Sequence, residues 1–142
     1  MDVVKKSALL NSDITRVIGT MGHGDGLAIA DAGLPIPSSA QRIDLALTQG
    51  VPAFLPTLSV IGTELFVEKV LLANEVIDVS PDFHAALLVQ VRDLSEKQGS
   101  AISIDYQSHE TFKTRLADCK AVVRTGECTP YANIILYSGV TF

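Results

Sequence analysis

The sequence predicts one α/β domain spanning residues 1–142, a mixed, largely parallel sheet flanked by helices. Three observations predict it. A chain of 142 residues suits one domain of ordinary size, long enough to bury roughly two-thirds of its unfolded surface. Short apolar runs alternate with stretches of helical period, and no repeat, linker or low-complexity segment interrupts them. The connections between the apolar runs are long, which favours crossovers over tight hairpins and hence parallel or mixed pairing.

In chain order, Ser12 is placed to cap a helix bearing Ile14, Val17, Ile18 and Met21, the i, i+3, i+4, i+7 stripe of an amphipathic helix, and Gly22 is placed to end it. After the loop His23-Gly24-Asp25-Gly26, the run Leu27-Ala28-Ile29-Ala30 reads as a strand buried on both faces. It ends at Asp31. Leu34-Pro35-Ile36-Pro37 must then stay extended or turn, because proline restricts the residue before it. Ile43, Leu45 and Leu47 alternate with Arg42, Asp44 and Ala46, predicting a half-buried strand. Pro52 can start a short helix holding Phe54, Leu58 and Ile61, and residues 66–72 form a further strand.

Ser80-Pro81-Asp82 opens the clearest helix, with Phe83, Leu87, Val91 and Leu94 on one face and Gly99 at its end. Ile102, Ile104 and Tyr106 alternate as a strand. Ser108 can cap a short helix with Phe112 and Leu116 inward. Residues 121–124 make a strand, Thr125-Gly126-Glu127 a turn, and residues 134–137 a last apolar strand.

Composition narrows the function classes. Hydrophobic residues make up 47% of the chain and the mean hydropathy is +0.31, which fits a large core or apolar surface buried between subunits. The formal net charge is −5 and no Lys/Arg run occurs, so nucleic acid is not an expected partner. No stretch approaches the roughly 20 apolar residues of a membrane span, and Met1-Asp2-Val3-Val4-Lys5-Lys6 lacks a signal-peptide core. Cys119 and Cys128 form no CxxC motif and no Cys/His cluster. The expected compartment is the cytoplasm.

His23 sits past the first helix in a Gly-rich loop, where exposed helix carbonyls and nearby Asp25 favour an imidazolium. It is either a solvated loop residue that caps the helix or a proton-transfer group. Asp31, at the carboxyl end of an apolar strand, either binds hydroxyls in the crevice where α/β ligands lie or caps a turn with Ala32-Gly33. His109, in the first turn of a helix, should stay neutral as a hydrogen-bonding group or be a partly exposed helix-start residue. His84 reads as a surface residue. The polar tail from Arg124 to Asn133 lies between two strands; Tyr131 offers a ring face and a hydroxyl, and Asn133 a donor and an acceptor suited to vicinal hydroxyls. The alternative there is a Gly- and Pro-rich turn without a ligand.

Phosphate-binding GxxxxGK[ST] and GxGxxG motifs, a GxSxG elbow and a metal-ligand set are all lacking, so acid/base chemistry on a small polar molecule, with neither metal nor cofactor, is what survives.

Taken in order, Leu10-Asn11-Ser12, Met21-Gly22-His23-Gly24-Asp25, Asp31-Ala32-Gly33-Leu34-Pro35-Ile36-Pro37, Arg42-Ile43-Asp44, Gly50-Val51-Pro52-Ala53-Phe54, Ser108-His109-Glu110, Arg124-Thr125-Gly126-Glu127 and Pro130-Tyr131-Ala132-Asn133-Ile134 form a pattern. It resembles the D-ribose pyranase family, sugar mutarotases related to the fucose mutarotases, almost end to end. Each motif is weak alone; their order is specific. The resemblance implies a cofactor-free isomerase interconverting the pyranose and furanose forms of D-ribose. It implies His23 as proton donor and Asp31, His109, Tyr131, Ala132 and Asn133 as substrate-binding positions. It also implies homo-oligomeric rings, typically decamers, with sites at subunit contacts. Gly24 departs from the ribose type, which commonly has Thr there, and matches the fucose type; the Asp31-Ala32-Gly33-Leu34-Pro35 and Val51-Pro52-Ala53-Phe54 regions follow the ribose type. Ribose therefore stands first, with another sugar such as fucose, or a non-catalytic sugar-binding or sensing module, as alternatives.

Overall fold

Helix α1 (Ser12–Thr20) is capped by Asn11 rather than Ser12: the Asn11 side chain accepts the Ile14 N–H at 2.9 Å, and Ser12 is already helical. The helix stops at Thr20, short of Gly22, with Met21 extended. Ile14 and Val17 are buried, as the stripe demands. These details come from a computed structural model that describes residues 3–142. Met1 and Asp2, which begin the stretch scanned for a signal-peptide core, lie outside the described residues.

β1 (Gly26–Ala30) is buried along its whole length, between β5 (Ala121–Arg124), which runs parallel to it, and β6 (Ile134–Ser138), which runs antiparallel. β2 (Arg42–Asp44) is shorter than the alternation through Leu47 predicts. The Asp44 carboxylate accepts the Ala46 N–H at 3.0 Å and turns the chain, leaving Leu47 81% exposed.

Helix α2 (Phe54–Gly62) starts two residues after Pro52 and buries Phe54, Leu58 and Ile61. β3 (Val67–Ala73) follows, then α3 (Glu75–Val79), a helix absent from the sequence reading. Five residues between a strand and a proline are too few to show a helical period. α4 (Pro81–Gln98) buries Leu87 and Val91 and ends at Gly99, whose φ of 74° suits a residue without a β-carbon. Its Phe83 meets Phe54 edge-on at 5.3 Å. β4 (Ser103–Gln107) forms one sheet edge. Ser108 accepts the Thr111 N–H at the start of α5 (His109–Arg115), which runs into a 3-10 turn (Leu116–Asp118).

The six strands make one sheet in the order β2-β5-β1-β6-β3-β4. All neighbours pair in parallel except β6, which is antiparallel to both β1 and β3. The sheet is therefore mixed, with a single reversed strand inside it. Side chains of α1, α2 and α4 pack with Leu27, Ile29, Val70 and Leu136 on one face. Phe112 of α5 and Leu116 of the 3-10 turn pack with Ala28, Val122 and Ile135 on the other. The two clusters use alternate residues of β1, which is why that strand is apolar throughout. No helix among the described residues is long and apolar enough to cross a membrane.

This topology has one consequence for function. β1, β3, β4 and β5 share a direction, so their carboxyl ends and the start of β6 meet at one end of the sheet, bringing Asp31, Glu75, His109, Thr125 and Asn133 into one neighbourhood. The other end carries the His23 loop, the start of β3 and the end of β6.

Candidate active site

Asp31 leaves β1 at its carboxyl end and is held from several sides. Its N–H donates to Asn133 Oδ1 at 2.8 Å, and Asn133 Nδ2 returns a bond to Asp31 Oδ2 at 3.2 Å. The Gly33 N–H donates to Asp31 Oδ1 at 3.0 Å. Burial pushes the Asp31 carboxyl above its ordinary range, while the Gly33 and Leu34 N–H groups, Asn133 and His109 pull it back in part. The Asx turn expected at Asp31 is present, and the same residue also lines the cleft described below.

Asn133 is 1% exposed, with its amide oxygen and a nitrogen committed to Asp31. It orients the aspartate instead of lining the cleft. Ala132 does not line it either: its side chain is in the core, and its N–H donates to Thr129 at 3.2 Å. Tyr131, between Ala132 and Pro130, has a φ of 61°, the left-handed region that side chains with a β-carbon seldom adopt. That conformation sets its ring edge-on to His109, with centroids 5.0 Å apart. Ser80, buried at the start of α4, donates its hydroxyl to the Pro130 carbonyl at 2.7 Å and ties this loop down.

His109 is the first residue of α5. Its backbone N–H, which as the first of the helix has no intrahelical partner, donates to both carboxylate oxygens of Glu75 at 3.0 and 3.1 Å. Its ring stacks on Phe112, and Nδ1 is buried without a hydrogen-bond partner, alone in this among the buried side-chain nitrogen and oxygen atoms of the described residues. Asp31, His109 and Tyr131 together line an open cleft of about 450 Å³, with Gly33, Leu34, Pro35, Val79 and Pro130 as its remaining walls. A carboxylate, an imidazole and a phenol against short apolar walls can take the hydroxyls and carbon skeleton of a small sugar.

The first part of the polar tail is structural. Arg124 donates through Nε to the Ala32 carbonyl at 3.1 Å and through Nη1 to both Asp44 oxygens at 3.1 Å. Thr125 is fully buried and donates to the Ala30 carbonyl at 2.7 Å. A β-carbon on Gly126 would lie 2.5 to 2.7 Å from backbone atoms of Thr48 and Val51, so the close approach of that loop requires glycine. Glu127 caps α2 across space, accepting the Phe54 N–H at 2.9 Å where the local cap residue Ala53 has no side chain to do so. Pro130 and Tyr131 alone of this tail reach the cleft.

His23 does not join this group. It stands before β1 while Asp31 stands after it, so the length of the strand separates them, about 16 Å at roughly 3.3 Å per residue. Its side chain is 58% exposed and contacts Glu68 Oε1 through Nε2 at 2.7 Å. His84, expected at the surface, is half-buried and bonded to the Tyr106 hydroxyl at 2.6 Å. Glu68 and Glu75 carry no signal in the sequence, and Ser80 signals only a helix start, since their partners here are distant in the chain. Among the described residues, no three His, Cys, Asp or Glu side chains cluster as a metal site would require.

The D-ribose pyranase of Haemophilus influenzae (strain PittGG) is 54% identical over 139 residues, covering 98% of this chain and all of that protein. The structure of Bacillus subtilis RbsD complexed with D-ribose matches 98% of this chain and 100% of its own, with 42% identity and a TM-score of 0.88. A fucose mutarotase from Streptococcus pneumoniae, in complex with L-fucose, is more distant: 26% identity, a TM-score of 0.69, and 92% of this chain against 93% of that one. Residues 4–141 match the family model described as the RbsD / FucU transport protein family, and the chain belongs to that family.

Proposed function

We propose that this chain is a D-ribose pyranase, an isomerase that interconverts the pyranose and furanose forms of D-ribose. The observation that carries this reading is the cleft at the carboxyl end of β1, where Asp31, His109 and Tyr131 converge, in a chain whose relatives bear that activity and whose ribose-complexed neighbour has the same fold. Asp31 accepts sugar hydroxyls, His109 supplies a ring nitrogen and Tyr131 its hydroxyl or ring face. Asn133 and Ala132 hold the loop that presents them.

Ring exchange breaks the bond between the anomeric carbon and the ring oxygen. The anomeric hydroxyl loses a proton as its oxygen becomes the aldehyde carbonyl, and the departing ring oxygen gains one. A different chain hydroxyl then attacks the carbonyl carbon and gives up its proton while the carbonyl oxygen is protonated. Oxidation state and carbon skeleton are unchanged, so residues that bind, orient and move protons suffice. In this reading His23 protonates the departing ring oxygen and recovers the proton on closure, an effect worth about a hundredfold to ten-thousandfold.

One subunit cannot bring His23 to its own Asp31, so His23 of a neighbouring copy completes each site. The exposed apolar side chains Leu10, Leu47 and Val51 support burial against such copies. A closed homo-oligomeric ring, a decamer in the family resembled, satisfies this geometry, with the whole of 1–142 as its one domain. The free thiols Cys119 and Cys128 suit the cytoplasm.

The test is saturation-transfer NMR on ribose. His23→Ala and Asp31→Ala chains should each lose exchange, and dissociating, mixing and reassembling the two should restore part of it. Full exchange by His23→Ala with ribose still bound rejects the role of His23; failure of mixed assemblies to recover rejects the shared site. The same measurement on fucose separates the second reading, supported by the likeness to the fucose mutarotase. Saturable ribose binding without accelerated exchange would mark a sensing module.

A further inference from the structure

Resting on the proton-transfer role of His23, we infer that Glu68 is the positioning residue of that histidine, holding one imidazole nitrogen so that the other is left to meet the sugar. Three features of the structure converge on the pair. The first is contact: His23 Nε2 and Glu68 Oε1 are 2.7 Å apart. A carboxylate accepts only, so the bonded nitrogen keeps its hydrogen and the tautomer is set.

The second is the strand that delivers Glu68. β3 pairs with β6 through Val67 opposite Ser138 and Lys69 opposite Tyr137, so Glu68 is an extra residue with no partner of its own. A bulge of this kind re-aims a side chain and is common beside active sites. The third is room. A β-carbon at Gly139 would lie 3.1 Å from Glu68 Cβ and 3.2 Å from Oε1, so the absence of a side chain there keeps the carboxylate's place clear.

The loop on the other side of the contact is itself fastened. Gly24 N–H donates to the Ser138 carbonyl at 2.8 Å, Ser138 N–H to the Asp25 carbonyl at 2.9 Å, and Gly22 N–H to the Asp25 carboxylate at 2.8 Å. An exposed His–Glu pair contributes little to the stability of an isolated chain. Its effect on the reaction is orientational, and grows when a neighbouring copy covers it and excludes water.

Four assembled proteins are compared by ribose exchange over a range of ribose concentrations: wild type, Glu68→Ala, Glu68→Gln and His23→Ala, with the His23→Ala/Glu68→Ala double variant closing the cycle. Glu68→Ala should lower kcat about tenfold to hundredfold, the range seen when carboxylate partners of metal-bound histidines are removed, with KM within about twofold. Glu68→Gln, which keeps an acceptor, should recover part of that loss. The double variant should be no slower than His23→Ala, because the two residues act as one unit. Wild-type kcat in Glu68→Ala beside an inactive His23→Ala overturns the inference and leaves the role of His23 standing. Losses that multiply in the double variant, or appear in KM instead of kcat, overturn it as well. An active His23→Ala removes the reading beneath it.

Discussion

The two ends of β1 are built on opposite terms. At the Asp31 end, the carboxylate, the loop and the strand ends around it are tied by hydrogen bonds with Asn133, Thr125, Arg124 and Gly33. At the His23 end the imidazole and its Glu68 partner are roughly half exposed and bonded to each other, and the loop behind them is fastened through the backbones of Gly24, Asp25 and Ser138. On the proposed function, the difference teaches that recognition is preorganised within one subunit, while the proton-transfer pair projects from it. A binding site needs its acceptors aimed before the sugar arrives.

If that division holds, substitutions at the Asp31 end should cost stability and binding together, and those at the His23 end turnover alone. The largest stability effect is expected for Asn133→Ala. It leaves the Asp31 N–H and one carboxylate oxygen unpaired in a half-buried site and should cost about 2 to 4 kcal/mol by urea denaturation, with ribose affinity lost. Gly126→Ala should follow at about 1 to 3 kcal/mol, since the new methyl meets backbone that cannot move aside cheaply. A near-neutral result for either would break the comparison.

A pH measurement sharpens it. The Asp31 carboxyl is raised by burial, so the folded chain takes up this proton at a higher pH than the unfolded chain, whose carboxylate titrates near 3.9. Above the folded value the buried charge costs stability, and that cost is relieved as pH falls through it. Ribose binding runs the other way, because sugar hydroxyls donate to the charged form. Carbon NMR of the Asp31 side chain should show an apo midpoint above the usual aspartate range, moved down by ribose; an ordinary midpoint without ribose would count against the buried clamp. The smallest effect is expected at the exposed end. Lys120→Ala removes a 3.9 Å pair with Asp25 and should shift stability by less than about 0.5 kcal/mol.

How much of this was legible in the sequence follows from the range of each interaction. The α4 stripe of Leu87 and Val91, the Gly99 stop and the doubly buried β1 depend on neighbours a few residues away, and they read correctly. The first cap moved by one residue, to Asn11, because Asn and Ser serve equally well by type and geometry chooses between them. β2 ended early because a local Asp44 bond outweighed an alternating pattern. Asp31, His109 and Tyr131 were legible as a group only through the family pattern, since their spacing in the chain carries no hint of contact.

The chain alone determined the α/β layering, the apolar strands and the residue types able to bind a sugar and move a proton, since periodicity and side-chain chemistry are local. Tertiary structure decided that Asn133 meets Asp31, that Glu68 meets His23, and that His23 and Asp31 stand a strand apart. Those facts depend on which strands neighbour one another and in which direction they run, and sheet order is set by packing across the whole chain.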